Sequence, residues 1–104
     1  MRVFEDVFKR KVRLTDERYE HLVSEHPEMV EQIDKVKESL FGPVIVVRSK
    51  ADSQFELFYR YYKSTPVTQK YWCIVVKVRA DDSFIITAYF TDTIKKGKIL
   101  WEKK

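Results

Sequence analysis

The sequence predicts an α+β fold in which N-terminal helices pack on one face of an antiparallel sheet of about four strands. Two observations lead to this prediction. Residues 15–41 repeat apolar side chains at helical spacing, whereas residues 54–91 alternate apolar and polar side chains in three successive segments. The chain has 104 residues, of which 44% are hydrophobic, so we expect one domain over residues 1–104.

The first part of the chain contains the predicted helices. Residues 6–13 have mixed polarity and are predicted to form a first strand or an extended arm. Thr15 is typical of an N-cap. The apolar stripe of the helix that follows is Tyr19, Leu22, Val23 and His26. Pro27 ends this helix and suits the first turn of a second helix, which continues to about Phe41.

The second part of the chain contains the predicted strands. Residues 44–47 form a continuous β-branched run, which indicates a buried strand. The three alternating segments predict further strands at residues 54–62, 70–79 and 83–91. A loop at residues 63–69 joins the first two of these, and Asp81 and Asp82 form a tight second link. A basic turn at residues 95–98 precedes an edge segment at residues 99–101.

Alternation along the strands predicts one apolar and one polar face. The helices are expected to cover the face with Trp72, Ile74, Val76, Val78, Phe84, Ile86, Ala88 and Phe90, and also with Phe55, Leu57, Tyr59 and Tyr61. The other face, predicted to be open to water, has Lys77, Thr87 and Tyr89 together with Glu56, Arg60 and Tyr62. For Lys77 to share a face with Thr87, the link at Asp81 must hold three residues rather than two.

The charge of the chain is unevenly distributed. The net charge is +4, but residues 15–42 contain eight acidic and three basic residues, a net charge of −5, which leaves +9 for the rest. The predicted helices are therefore acidic and the predicted sheet is basic. A basic sheet attracts polyanions such as nucleic acids. The alternative interpretation is that its lysines only protect sheet edges from aggregation.

The residue types disfavour several functional classes. The single cysteine, Cys73, cannot form an intrachain disulfide, which is typical of a reducing compartment, so a cytoplasmic location is expected. No apolar run approaches the roughly 20 residues of a transmembrane helix. Gly42 and Gly97 are isolated, so there is no glycine-rich phosphate loop. One cysteine and two histidines on one helix offer too few metal ligands, and neither a metal nor another cofactor is expected.

Two groups of polar residues are candidates for a functional site. His21 and His26 lie about 140° apart on the first predicted helix. Either can act as a general acid or base, because histidine titrates near neutral pH. The polar sheet face is the second group. The alternatives are solvent exposure of His21, a buried structural role for His26 and an ordinary solvated strand surface.

A family resemblance rests on the order of several short motifs. Residues 15–29, TDERYEHLVSEHPEM, resemble the helix signature of small nuclease-like domains of bacteria and phages. The strand motifs of that group have counterparts at residues 58–62, 75–78 and 87–89. The closing motifs at residues 95–97 and 100–101 also fit, so the resemblance spans residues 13–101. The group belongs to the barnase, EndoU, colicin and RelE superfamily of metal-independent RNases.

The resemblance implies a toxin-like endoribonuclease, in which an RNA 2′-hydroxyl attacks the adjacent phosphate and leaves a 2′,3′-cyclic phosphate. The predicted catalytic residues are His21, His26, Lys77, Thr87 and Tyr89. The predicted RNA-binding residues are Arg60, Tyr62, Arg79, Thr91, Lys95 and Lys96. Of the histidines, His21 is the preferred acid or base, because His26 lies on the apolar stripe beside Pro27.

Partners follow from the same interpretation. RNA is the expected ligand, and an antitoxin or immunity protein could block the open face; no membrane partner is expected. A non-catalytic nucleic-acid-binding module is the first alternative, and a protein-interaction domain whose charges serve solubility is the second. Salt-dependent RNA binding would separate these two alternatives from each other.

Overall fold

A computed structural model describes residues 1–63 and 71–104 of the chain. The strands of this part are β1 (Arg2–Glu5), β2 (Lys11–Leu14), β3 (Ile45–Ser49), β4 (Phe55–Tyr61), β5 (Tyr71–Arg79), β6 (Asp82–Thr91) and β7 (Gly97–Glu102). The helices are α1 (Asp16–Glu25) and α2 (Ile33–Phe41), and a 3₁₀ turn at Pro27–Met29 lies between them. Apart from Lys63, the predicted loop at residues 63–69 lies outside the described residues.

The strands form one mixed sheet in the order β1-β2-β6-β5-β4-β3-β7. β2 and β6 are parallel and pair at Arg13 and Phe84, whereas the other neighbouring strands are antiparallel. Helix α2 contacts β1 as well as β4 and β5. Because three strands separate β1 from β4 in the sheet, the sheet must curl around α2. We call the side that receives the helices the concave face and the opposite side the convex face.

The predicted architecture of about four antiparallel strands with N-terminal helices on one face is wrong. In residues 1–63 and 71–104 the sheet has seven strands, one of its pairings is parallel, and two strands precede α1. β1 and β2 have four residues each. Strands this short do not repeat often enough for alternation to identify them. The predicted arm at residues 6–13 combines the turn between these strands with the start of β2.

The helix boundaries follow the predicted signals in part. Thr15 is the N-cap of α1, since its Oγ1 accepts a hydrogen bond of 3.2 Å from the backbone N–H of Arg18. Pro27 follows the helix, but the second helix does not begin there: residues 27–29 form the 3₁₀ turn and α2 begins at Ile33. The predicted end of the second helix at about Phe41 is confirmed, and the N–H of Gly42, which follows it, donates to the carbonyl of Glu38.

The main core lies on the concave face. The predicted apolar positions of β5 are buried there with helix residues, in a cluster that includes Trp72, Ile74, Val76, Leu22, Val36 and Leu40. Each large side chain buried in this way contributes roughly 1.5–3 kcal/mol. A second cluster, on the convex face, consists of Val47, Leu57, Tyr59, Cys73 and Val75. The convex face is therefore not the open polar surface that alternation predicted.

The turn between β5 and β6 is shorter than predicted. Arg79 pairs with Asp82, so only Ala80 and Asp81 lie between the strands. The predicted three-residue link is therefore wrong. Lys77 and Thr87 nevertheless share a face, and the reason lies within β6.

Because of a β-bulge in β6, the side chains in the first half of this strand point to the faces opposite to those predicted. Ile85 pairs with Val76 and Thr87 pairs with Val75, which leaves Ile86 as an additional residue between them. Ile85 thus joins the concave core, whereas Ile86 packs against the convex cluster. The predicted concave positions of Phe84 and Ile86 are wrong for this reason. Ala88 and Phe90 lie beyond the bulge and keep their predicted concave positions.

A buried ion-pair network fixes the turn between β1 and β2. The Asp6 carboxylate accepts hydrogen bonds of 2.9 Å from the backbone N–H groups of Phe8 and Arg10, and one of 2.8 Å from Arg10 Nε. Nη2 of Arg10 also donates to Glu56 of β4, at 2.7 Å. Burial lowers the pKa of Arg10, but its hydrogen bonds to Glu56 and Asp6 outweigh burial and raise the pKa. The guanidinium therefore stays charged and joins the hairpin to β4.

We expect Arg10→Met to reduce the free energy of unfolding by roughly 3 kcal/mol, because it leaves two buried carboxylates without their cation. Urea unfolding would measure the change. Arg18→Met, at an exposed position on α1, is the matched control and should stay within about 0.5 kcal/mol of the native protein. Equal losses in the two variants would show that the network does not stabilise the fold.

Candidate nucleic-acid interface

Three of the predicted catalytic residues share the convex face. Lys77 alternates with Val75 and Cys73 along β5, and these two pair with Thr87 and Tyr89 of β6. The residues are nonetheless spread along the strands. Tyr89 lies opposite Cys73, four residues from Lys77, which is roughly 13 Å at 3.3 Å per residue. Lys77 and Tyr89 therefore do not form one compact catalytic centre.

The two histidines have different surroundings. His21 is exposed on α1, and its Nε2 lies 4.0 Å from Oε1 of Glu17. The ring of His26 lies 6.3 Å from the ring of Tyr89, measured between centroids. β2 pairs with β6 only near Phe84, so at Tyr89 the edge of β6 lies beside the end of α1. Of the two, only His26 is thus near another predicted site residue among the described residues.

Tyr89 is suited to donate a hydrogen bond rather than to act as a base. Burial raises its pKa above the ordinary value, and the nearby Cys73 adds to the increase. Burial likewise raises the pKa of Cys73 to about 12. Both groups therefore stay protonated at neutral pH. Tyr89 can hold a phosphate by a hydrogen bond, but it cannot act as a general base.

Arg60 and Tyr62 lie on the other side of the sheet from Lys77. Arg60 pairs with Trp72 of the concave core, so the predicted grouping of Arg60 and Tyr62 with Lys77 is wrong. Nη1 of Arg60 donates to the carbonyl of Gly42 at 2.5 Å, and the hydroxyl of Tyr62 donates to Glu38 at 2.9 Å. These contacts attach α2 to β4. Burial and the bond to Glu38 raise the pKa of Tyr62 to about 12.

A row of alternating cationic and aromatic side chains crosses the convex face. Arg13 of β2 pairs with Phe84 of β6, Phe84 pairs with Lys77 of β5, and Lys77 pairs with Phe55 of β4. We call these four residues the cation–aromatic row. Neighbouring strands lie about 4.8 Å apart, so the row is roughly 14 Å long.

The cations of the row lie over its rings. Nζ of Lys77 is 5.8 Å from the centre of the Phe55 ring. Cζ of Arg13 is 5.8 Å from the centre of the Phe84 ring, and Cζ of Arg79 is 5.6 Å from it. Cation–π attraction at such distances contributes about 0.5–1 kcal/mol at exposed sites. The rings therefore hold the cationic groups in place on the surface.

The cations differ in whether they are already paired. Arg13 donates two hydrogen bonds to Asp82, of 2.9 and 2.6 Å. Within residues 1–63 and 71–104, Lys77 and Arg79 form no ion pair with a carboxylate. These two cations are therefore the ones available to an anionic ligand.

Sequence reasoning identified Lys77 and Arg79 but missed Arg13, Phe55 and Phe84. Phe84 was assigned to the concave face because the bulge at Ile86 was not recognised. Phe55 was assigned to that face because both sets of alternate positions in β4 contain aromatic residues. Arg13 becomes part of the surface through the single parallel pairing of the sheet, which no local pattern reveals.

An aromatic cluster occupies the other end of the convex face. It consists of Tyr59, Tyr61, Tyr71 and Tyr89, which lie in two adjacent rows of β4, β5 and β6. The rings of Tyr61 and Tyr71 are 5.8 Å apart and nearly perpendicular, and Tyr61 is 48% exposed. Tyr71 lies six residues from Lys77 along β5, a separation of roughly 20 Å.

The predicted RNA-binding residues after β6 border this tyrosine cluster. The backbone N–H of Lys95 donates to the Tyr59 hydroxyl at 3.1 Å, which holds the connection between β6 and β7 over the convex face. Lys95 and Lys96 are exposed. Thr91 has a structural role, since its Oγ1 accepts a hydrogen bond of 3.2 Å from the backbone N–H of Thr93.

An open groove of about 660 Å³ lies beside the cation–aromatic row, at the turn between β5 and β6. Its lining includes Lys11, Arg79, Asp81 and Asp82. Both charge signs are present, so the groove by itself does not favour an anion. It does leave the Arg79 side of the row accessible.

In the described part of the chain, no group of three or more His, Cys, Asp and Glu side chains is placed to hold a metal ion. No helix of residues 1–63 and 71–104 is long and apolar enough to span a bilayer.

Comparisons with known proteins gave no relative. The chain matches no protein-family model, and neither the curated proteins nor the solved structures contain a match to it. The resemblance to the metal-independent RNases therefore remains a prediction from the short motifs.

The Arg13–Asp82 pair makes a pH-dependent contribution to stability. Hydrogen bonds from Arg13 lower the pKa of Asp82. A lowered folded-state pKa means that the contribution is complete above the unfolded-state value of about 3.9 and is lost as the pH falls through the folded-state pKa. We therefore expect the destabilisation caused by Asp82→Asn to be largest near neutral pH and to shrink as the pH falls below about 3.9.

Urea unfolding of both proteins across this pH range would test the expectation. Asp92→Asn is the matched control, because Asp92 is exposed and forms no ion pair among the described residues. A difference between the native protein and Asp82→Asn that stays constant with pH would contradict the ion pair.

Proposed function

We propose that this protein binds RNA through the convex face of its sheet and acts as a nucleic-acid-binding module. The observation that carries the proposal is the cation–aromatic row: its Lys77, and Arg79 beside it, form no ion pair among the described residues. Lysine and arginine bind phosphates, and aromatic side chains on a sheet can stack on unpaired bases. Both kinds of group lie on one surface here.

The distribution of charge supports the same face as the binding surface. The helical segment at residues 15–42, which has a net charge of −5, lies on the concave side. A nucleic acid is therefore repelled by the helical side and attracted to the sheet. Long-range attraction of this kind orients a charged ligand before contact.

The exposed ring of Tyr61 and the half-buried ring of Tyr71 favour single-stranded over double-stranded nucleic acid as the ligand. Tyr61 and Tyr71 lie at the opposite end of the face from Lys77. Stacking of a base on an aromatic side chain contributes about 1–3 kcal/mol and requires a base that is not already stacked in a duplex. Phosphates would contact the row, and bases would contact the tyrosine cluster.

We expect Lys77→Ala to weaken binding of a fluorescein-labelled single-stranded RNA and to reduce the salt slope of log Kd by about 1, since one phosphate contact is lost. Fluorescence anisotropy across a salt series would measure both quantities. Lys37→Ala, which removes an exposed lysine from α2, should leave the slope unchanged. Absence of binding at low salt, or an equal loss in the control, would contradict the proposal.

A second candidate function is metal-independent RNA cleavage, favoured by the approach of His26 to Tyr89. In this function His26 would be the general acid or base, and the protonated Tyr89 would donate a hydrogen bond to the scissile phosphate. Lys77 would bind a phosphate further along the RNA rather than the reacting one, because it lies roughly 13 Å away along the strands.

If the protein cleaves RNA, cleavage should persist in EDTA and give a 2′,3′-cyclic phosphate. His26→Ala should then reduce the rate by roughly 10²–10⁴-fold, the usual contribution of a general acid or base. His21→Ala is the matched control and should retain the rate. Product analysis by gel electrophoresis and mass spectrometry would decide. RNA binding without cleavage in the native protein would rule out the second candidate and leave the first intact.

A further inference from the structure

We propose that the outer edge of β7 binds an acidic, extended peptide, which adds to the sheet as a further strand. β7 is the last strand of the sheet and pairs with β3 on one side. No strand of residues 1–63 or 71–104 pairs with its other side. An edge strand presents unpaired backbone N–H and C=O groups, and these are the groups that a bound peptide strand uses.

The charge around β7 determines which kind of strand can bind. Residues 95–104 contain five lysines and one glutamate, a net charge of +4. The exposed lysines are Lys95, Lys96, Lys98, Lys103 and Lys104. A second copy of this chain would bring an equal positive charge to the same edge and be repelled. The same lysines attract an acidic strand, so they select a partner as well as preventing self-association.

The side chains of β7 suggest the pattern of the partner. Ile99 pairs with Val47, which places it on the convex face, and it is 52% exposed. Its neighbour Lys98 pairs with Arg48 and lies on the other face. The pairing of β7 with β3 is regular from Gly97 to Ile99 and is interrupted by the extra residue Leu100. Along this regular part, a partner strand that alternates apolar and acidic residues would place an apolar side chain beside Ile99 and a carboxylate beside Lys98. Cross-strand pairs of both kinds stabilise a sheet by about 0.2–1 kcal/mol each.

The edge is held in place before any partner binds. A Cβ at Gly97 would overlap the carbonyl oxygen of Arg48, so only glycine lets β7 approach β3 this closely. At the other end, the backbone N–H of Lys103 donates to the carbonyl of Val44 at 2.9 Å. A strand fixed at both ends loses little conformational entropy on binding, which favours affinity.

The test uses a fluorescein-labelled peptide of about eight residues that alternates glutamate and valine, and anisotropy measures its binding to the full chain. We expect binding that weakens with salt. Two comparison peptides separate charge from strand pairing: one has lysine in place of glutamate, and one is N-methylated at alternate residues on its pairing edge. Each should bind at least about tenfold more weakly, since the first is repelled and the second cannot donate hydrogen bonds.

Variants locate the site on the protein. The double variant Lys96→Glu and Lys98→Glu should weaken binding of the acidic peptide by about tenfold or more. The matched control, Arg18→Glu and Lys37→Glu on the helices, should not. Circular dichroism would confirm that both variants fold. Equal affinity for the N-methylated peptide, or an equal loss in the control, would overturn the proposal.

The proposal is separable from RNA binding by the convex face. RNA binding is tested by Lys77→Ala, and peptide binding by the double variant at Lys96 and Lys98. If the double variant at Lys96 and Lys98 loses affinity for single-stranded RNA while the native protein does not bind the acidic peptide, the β7 edge is a nucleic-acid surface. That result would refute the peptide proposal.

Discussion

The bulge at Ile86 is the constraint on which the arrangement of the sheet depends. β6 must bury Ile85 in its first half and Ala88 in its second half against the same helices. These residues are three apart, and a regular strand would turn them to opposite faces. One additional residue resolves the conflict. It also turns Phe84 outwards beside Lys77, so the packing of the core and the composition of the outer surface have the same origin.

The two faces of the sheet have different roles that follow from their side chains. The concave face contains most of the apolar core and is covered by acidic helices. The convex face has only a small apolar cluster at its centre, with cations at one end and tyrosines at the other. Apolar packing at the centre keeps β4, β5 and β6 in register. The positions of the polar groups at the two ends therefore depend on that packing.

The elements that could be predicted are those whose signals are local. Thr15 indicates the start of α1 because the cap and the helix are adjacent in sequence. β5 was predicted because its even positions, from Trp72 to Val78, are all apolar while Lys77 and Arg79 lie between and after them. The faces of β4 could not be predicted in this way. Its Glu56 resembles a surface residue in the sequence, yet it is 5% exposed because Arg10, 46 residues earlier, supplies its cation.

The candidate site was predictable to a similar extent. Lys77, Thr87 and Tyr89 were placed on one face correctly, although the reason given, a three-residue link, was wrong. Arg60 and Tyr62 were placed on the wrong face, because the sequence does not show that Gly42 and Glu38 of the helical segment would bind them. Partners that are distant in sequence decided the positions of Arg60 and Tyr62, whereas the bulge at Ile86 placed Thr87 and Tyr89 on the face of Lys77.

The parallel pairing of β2 with β6 has a consequence for the order of folding. It joins Arg13 to Phe84, across most of the chain. The entropic cost of closing a loop increases with its length, and contacts between distant residues form slowly. The hairpin of β1 and β2 can form from local pairing, but it joins the rest of the sheet only by pairing with β6. During synthesis β1 and β2 must therefore wait until β6 has been made before they can dock.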